Sequence, residues 1–257
     1  MIPPDNRLNI LCSTTIQWNC GDDFIRFGTQ NLLKPLLNKP INWLLWNRNP
    51  DLYLDQFNDP RLKPNMLTNS VAKPSLDIID CVLISGTPEW HGTPMSPIYS
   101  DILKYRHIPL LILGAGSAPP AAGFSDTELL AFDRPNTLTI TRNTDLANAI
   151  NHQLGYEKAH SLPCPAIFCA DKFNALPTSS NAPKKTAIIL QSSAVCNQHI
   201  EESTATNLLS VIKRLEPYTV DIICFYIDEF MRYTRCIPNQ NVIYHFDAKQ
   251  YLSILSH

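Results

Sequence analysis

Pro109-Leu110-Leu111-Ile112-Leu113-Gly114-Ala115-Gly116-Ser117 is an apolar run of strand length that stops in small residues. A run this short, rich in aliphatic side chains and closed by glycines, reads as a strand buried on both faces. The same form recurs outward along the chain. Asp80 to Ser85 precedes Gly86, and Leu8 to Ile16 precedes Gly21. Ile41 to Trp46 and Thr137 to Thr141 complete five strands, and Ala166 to Cys169 is expected to be a sixth. Helical patterns at Asp22 to Lys34, Ser96 to Tyr105, Ser125 to Phe132 and Thr144 to Leu154 fall between them. Pro35 and Gly155 stand where helices stop. Strands that alternate with helices, with no hairpin turns, predict an α/β protein with a parallel, Rossmann-like sheet.

Residues 1–170 therefore form an N-terminal domain, and 171–185, with Asn174, Pro177, Ser179, Asn181 and Pro183, read as a linker. Pattern restarts at 186–257, with strands at Thr186 to Gln191, Val220 to Tyr226 and Asn241 to His245. Glu201 to Leu215 is an amphipathic helix, and Ala248 to His257 begins another. Three strands and two helices make a partial second Rossmann-like domain, and the chain stops within the pattern, as a truncated domain would.

Charge bounds the partners. Twenty-one basic and 23 acidic residues, mixed without long runs, leave a net charge of −2, so no footprint for nucleic acid is present. The start lacks a secretory signal, and no stretch approaches the roughly 18 apolar residues of a membrane span. Eight cysteines occur without a Cys-x-x-Cys pair, and Cys81 and Cys224 lie inside apolar runs, so free buried thiols in a cytoplasmic protein are expected. The histidines show no ligand spacing, so neither a metal nor a cofactor is implied.

All eight glycines lie at or before residue 155, several of them just past strand ends. In open parallel sheets ligands bind outside the carboxyl ends of the strands, which makes these turns the candidate site. Asp22 and Asp23 follow Gly21, either capping the next helix or accepting hydrogen bonds from sugar hydroxyls. Glu89, Trp90 and His91 share one loop, where an aromatic face beside polar groups suits a sugar ring. Gly114 and Gly116 permit a backbone anion nest or tight packing. Arg142 ends the fifth strand, where it can clamp a carboxylate or phosphate or form a surface ion pair, and Thr144 can cap the helix behind it. The first turn is neither a Gly-x-Gly-x-x-Gly fingerprint nor a Walker loop, and no Gly-x-Ser-x-Gly elbow is present.

Taken in order, these pieces resemble the polysaccharide pyruvyl transferase family. The matching stretches are Asn19-Cys20-Gly21-Asp22-Asp23, Ile84 to Gly92, Leu113-Gly114-Ala115-Gly116, Thr141-Arg142-Asn143 and Leu162-Pro163-Cys164-Pro165-Ala166-Ile167-Phe168. The resemblance implies two facing Rossmann-like domains in a GT-B-like arrangement. It also implies transfer of a pyruvyl unit from phosphoenolpyruvate to a saccharide, with Arg142 as a cation on the donor and the Asp22–Asp23 and Glu89–His91 segments toward the acceptor. Three departures stand out. The family's Arg-Leu-His-like motif, expected to supply the acid, would fall beyond His257, so this chain alone is expected to be inactive. Gly86-Thr87-Pro88 replaces a glycine-rich run, and Asn143 stands where an acid commonly follows the arginine. The rival readings are a GT-B-like glycosyltransferase using a nucleotide sugar and a non-catalytic sugar- or metabolite-binding module.

Overall fold

Aliphatic runs become central strands here because both faces of the sheet are covered. A computed structural model describes residues 7–14, 20–47, 75–86, 89–91, 96–116, 119–169, 185–190, 202–215, 218–245 and 251. The chain divides into two units, residues 1–16 with 22–172 and residues 17–21 with 173–257.

The first unit runs β1 (Leu8–Thr14), α1 (Cys20–Leu33), β2 (Ile41–Asn47), β3 (Cys81–Ser85), α2 (Pro97–Lys104), β4 (Leu110–Ala115), α3 (Asp126–Asp133), β5 (Thr137–Thr141), α4 (Thr144–Leu154) and β6 (Ala159–Ser161). Its six strands are ordered β2-β1-β3-β4-β5-β6, and every pairing is parallel. In this doubly wound order the chain builds outward in one direction from β1 to β2, then in the other from β1 to β3. The carboxyl ends of β1 and β3 therefore flank the topological switch point, where a crevice opens in such sheets.

Alternation along each strand sends neighbours to opposite faces. Leu11, Val82, Ile84, Leu110 and Ile112 pack with Ile98, Ile102, Phe132, Leu146 and Ile150 of α2, α3 and α4. Ile10, Cys12, Leu83 and Leu113 form the other core with Leu33 of α1. Each aliphatic side chain buried this way contributes about 1.5–3 kcal/mol.

The second unit contains β7 (Lys185–Leu190), α5 (Glu202–Arg214), β8 (Thr219–Cys224), α6 (Ile227–Cys236) and β9 (Asn241–Tyr244). Its strands are parallel in the order β7-β8-β9, around Leu208, Ile212, Val220, Ile222, Cys224, Tyr233 and Ile237.

Three expectations need correction. Ala166 to Cys169 is not a strand: Pro165–Phe168 is a 3-10 turn, and the sixth strand is Ala159–Ser161. Pro165 has no N–H for a ladder, and three residues ending in His160 and Ser161 carry too little apolar pattern to read as a strand. Thr144 is not the cap of α4. Asn143 occupies that position, and the Thr144 hydroxyl lies 3.4 Å from Ser161 Oγ instead. Helix α6 was absent from the expected elements; its acids and arginines hide an apolar side held by Tyr233 and Phe230. Gly155 does close α4, at φ 80°. The expected linker and the helix at Ala248 to His257 lie outside the described residues, apart from Lys185 and Tyr251.

Candidate functional site

Polar side chains are buried in quantity at the switch point, an expensive placement that requires either internal partners or a ligand. Ser13, next to last in β1, donates from Oγ to Glu89 Oε1 at 2.5 Å. Glu89 itself is fully buried. Ser85, the last residue of β3, brings its Oγ within 3.3 Å of Thr29 Oγ1 on α1, and both are buried. Asp22 is buried at the start of α1, with Oδ1 only 3.4 Å from where a Cβ on Gly86 would stand. The next residue, Asp23, accepts a 2.5 Å ion pair from Arg26 Nη2 three residues further along, and that guanidinium lies 4.2 Å over the Phe27 ring. Both partners are buried, so their attraction is little screened, and the pair is held rigidly.

The Glu89–His91 loop splits by residue. Glu89 turns inward to Ser13. Trp90 makes T-shaped contacts with Phe124 and Phe132, with ring centroids at 5.2 and 6.2 Å, and is partly buried against the core. His91 is exposed, and its backbone N–H donates 2.7 Å to Glu128 Oε1. Gly92 lies outside the described residues.

Gly114 adopts φ +71°, and a Cβ there would meet Pro165 Cδ at 2.6 Å, so this glycine serves packing against the Pro165 turn. Gly116 serves Arg142. The Arg142 side chain crosses it, with Nη2 3.4 Å from Gly116 O, and a Cβ on Gly116 would stand 1.9 Å from Arg142 Nε. Arg142 is exposed, and its own N–H holds Ala115 O at 2.8 Å. It follows β5, two strands from β3, which puts its anchor roughly 10 Å from the switch point at ordinary strand spacing.

Several residues of the site were not among the expected ones. Ser13 and Ser85 are the polar ends of apolar strands, and Arg26 sits three residues after Asp23, the spacing of a helical ion pair. Ser125-Asp126-Thr127-Glu128 has the Ser-x-x-Glu form of a capping box, which α3 makes in full. Tyr99 is the one the sequence gives no sign of. Burial, then Glu89, then Glu128 push its hydroxyl pKa well above the usual value, so it stays protonated. Among the described residues no three His, Cys, Asp or Glu side chains gather as a metal site, and no helix is long and apolar enough to cross a membrane.

Among solved structures, E. coli heptosyltransferase WaaC with ADP is 12% identical, with a TM-score of 0.42, over 92% of this chain and 75% of that one. The same enzyme with ADP-2-deoxy-2-fluoro heptose gives 13%, 0.43, 92% and 76%. A LacI family transcription regulator from Clostridium acetobutylicum gives 12%, 0.23, 97% and 90%. Likeness at this level specifies no ligand. Comparison with the curated proteins gives no significant match. The family comparison is of a different order: the model described as polysaccharide pyruvyl transferase matches residues 19–257, from the turn that carries Asp22 and Asp23 through both units. With nearly the whole length matched in this way, the chain belongs to the polysaccharide pyruvyl transferase family.

Proposed function

We propose that the protein transfers the pyruvyl unit of phosphoenolpyruvate to a saccharide, and that the first unit holds the acceptor. The observation that carries this reading is the set of buried polar side chains at the carboxyl ends of β1 and β3, among them Ser13, Asp22, Ser85 and Glu89. Family membership supports this chemistry, and the crevice expected at a switch point supports this place.

The reaction sets clear demands. A proton adds to the methylene carbon of phosphoenolpyruvate, leaving cationic character at the carbon that bears phosphate. One acceptor hydroxyl bonds to that carbon, the phosphate C–O bond breaks, and the second hydroxyl bonds in its place. Of the two hydroxyl protons, one balances the new methyl group and the other leaves with inorganic phosphate. Carboxylates orient the hydroxyls, and a cation holds the donor's charge. Asp22 and Glu89 serve the first task. Asp23 fixes Arg26, and Arg142, exposed two strands away from β3, meets the donor's phosphate or carboxylate bidentately.

Phosphate release from phosphoenolpyruvate, measured on the full-length protein with and without saccharide, tests the reading. Arg142→Ala is expected to lower it by 100-fold or more, in line with loss of a charge-stabilising group (on the order of 3 kcal/mol). Wild-type rates in that variant remove Arg142 from the role. Protection of the fold by a nucleoside diphosphate, and not by phosphoenolpyruvate, would replace this reading with a nucleotide-sugar transferase.

A further inference from the structure

The far end of α1 borders a cavity of about 580 Å³, enclosed by its last turn, the loop 34–40 and the start of β2. That volume lies well inside the ~300–1,000 Å³ of small-molecule sites. A helix of 14 residues is roughly 20 Å long, so the cavity sits at the amino edge of the sheet, well away from Asp22 at the switch point.

Its floor is apolar and its walls are fixed. Leu37, Ile41 and Trp43 reach it from the α1 side of the sheet, where each is partly buried against the core. Lys34 N–H donates to Gln30 O, Leu37 N–H to Leu33 O and Leu8 N–H to Pro40 O, at 3.0, 3.2 and 2.9 Å. The loop is thus tied to α1 at one end and to β1 at the other, and Pro35 and Pro40 stiffen it. Walls held in this way need little ordering when a ligand binds.

The polar groups on these walls select the ligand. Lys34 and Lys39 are exposed cations. Among the described residues neither has an acidic partner, and no carboxylate lines the cavity. The end of α1 brings about half a negative charge, which two ammonium groups outweigh, so an anion is favoured. Gln30, Asn31 and Asn38 add carboxamides, which donate and accept as sugar hydroxyls do. Asn31 Nδ2 already donates to Phe168 O at 2.8 Å, which fixes that amide and leaves its oxygen as an acceptor. Trp43 supplies an apolar surface against which the C–H groups of a pyranose pack. Inorganic phosphate would engage only the lysines, whereas a carboxylated sugar engages all three kinds of group.

We propose that this cavity is a second saccharide site, one that holds a sugar unit bearing a carboxylate. The carboxylate meets Lys34 and Lys39, and the ring lies against Trp43 among the carboxamides. The class includes the product of the proposed transfer, a saccharide whose ketal carries the pyruvyl carboxylate. The assignment takes the saccharide from that proposed function, and its preference for an anion from the lysines.

The test is a titration of the full chain, labelled with ¹⁵N in its tryptophan indoles, with Trp43→Phe identifying the Trp43 signal. The probes are methyl glucuronide and a methyl galactoside carrying a pyruvyl ketal, with methyl glucoside and inorganic phosphate as controls. At least one carboxylated glycoside is expected to shift the Trp43 signal saturably and to bind about ten-fold more tightly than methyl glucoside, as two exposed ion pairs allow. Replacing both lysines, Lys34→Ala with Lys39→Ala, should abolish that advantage and leave the unfolding midpoint near the wild-type value, because both side chains are exposed. A response to either carboxylated probe supports the site, and the ratio of the two affinities shows whether its carboxylate comes from a uronate or from a pyruvyl group. A Trp43 signal indifferent to both, equal affinity for methyl glucoside or for phosphate, or unchanged affinity in the double variant overturns it. Phosphate release by the full-length protein is read separately. Turnover with a silent Trp43 overturns only this site, and a carboxylated glycoside bound without turnover overturns only the transfer.

Discussion

Gly28 and Gly116 lack side chains for reasons that predict opposite outcomes. A Cβ on Gly28 would lie 1.8 Å from the backbone oxygen of Pro165, so relief requires α1 and the Pro165 turn to separate. Gly28→Ala is therefore expected to cost about 3 kcal/mol in denaturant unfolding, the upper part of the overpacking range. A Cβ on Gly116 meets the Arg142 side chain, which can swing away. Gly116→Ala should unfold near the wild-type midpoint and yet reproduce the activity loss of Arg142→Ala. A variant that keeps full activity would detach Gly116 from Arg142. The glycines near strand ends were legible in the sequence, but the atom each one makes room for was not, because Pro165 and Arg142 arrive from distant parts of the chain.

Cys81 gives a second test at this scale. Burial, then Asp80, then Cys12 push its thiol from 9.0 up to about 12. The unfolded chain loses that proton first, so the thiol's contribution is intact below about pH 9 and is lost as pH rises toward about 12. Unfolding midpoints measured across that window should fall less steeply in Cys81→Ala than in wild type. Native alkylation should reach exposed Cys236 while sparing Cys81. Equal rates at the two thiols would contradict the burial.

Among the elements, α3 carries a complete capping box, in which Ser125 Oγ accepts from Glu128 N and Glu128 returns to Ser125 N. Ser125→Ala is expected to cost about 1 kcal/mol. Glu128 also holds the His91 backbone, so Glu128→Ala should raise amide exchange at His91 as well as in α3. Protection at His91 unchanged by that variant would separate the loop from the helix. The strands and most helices were readable because two covered faces demand continuous aliphatic runs. Helix α6 was not, since only one narrow side of it is apolar. Nor was β6, whose three residues owe their pairing to β5. Trp90 shows a related limit: its position in the loop was visible, while its ring contacts with Phe124 and Phe132 depend on α3 and the residues just before it packing beside that loop.

For the whole molecule, the strand order is what turns scattered polar residues into a site. Asp22 and Glu89 were visible as candidates from their turns. Ser13, Ser85, Thr29 and Arg26 join them because β1 and β3 are neighbours and α1 packs beside their ends. No local pattern encodes that adjacency, which comes from right-handed crossovers and the burial of both faces. The measurement that tests the account most directly follows labelled carbon from phosphoenolpyruvate into product, with the full-length protein and a mixed neutral saccharide pool. The account predicts a saccharide-bound pyruvyl ketal with one inorganic phosphate released per ketal, and none without saccharide. Phosphate released without saccharide, or label that never reaches a saccharide, would contradict it.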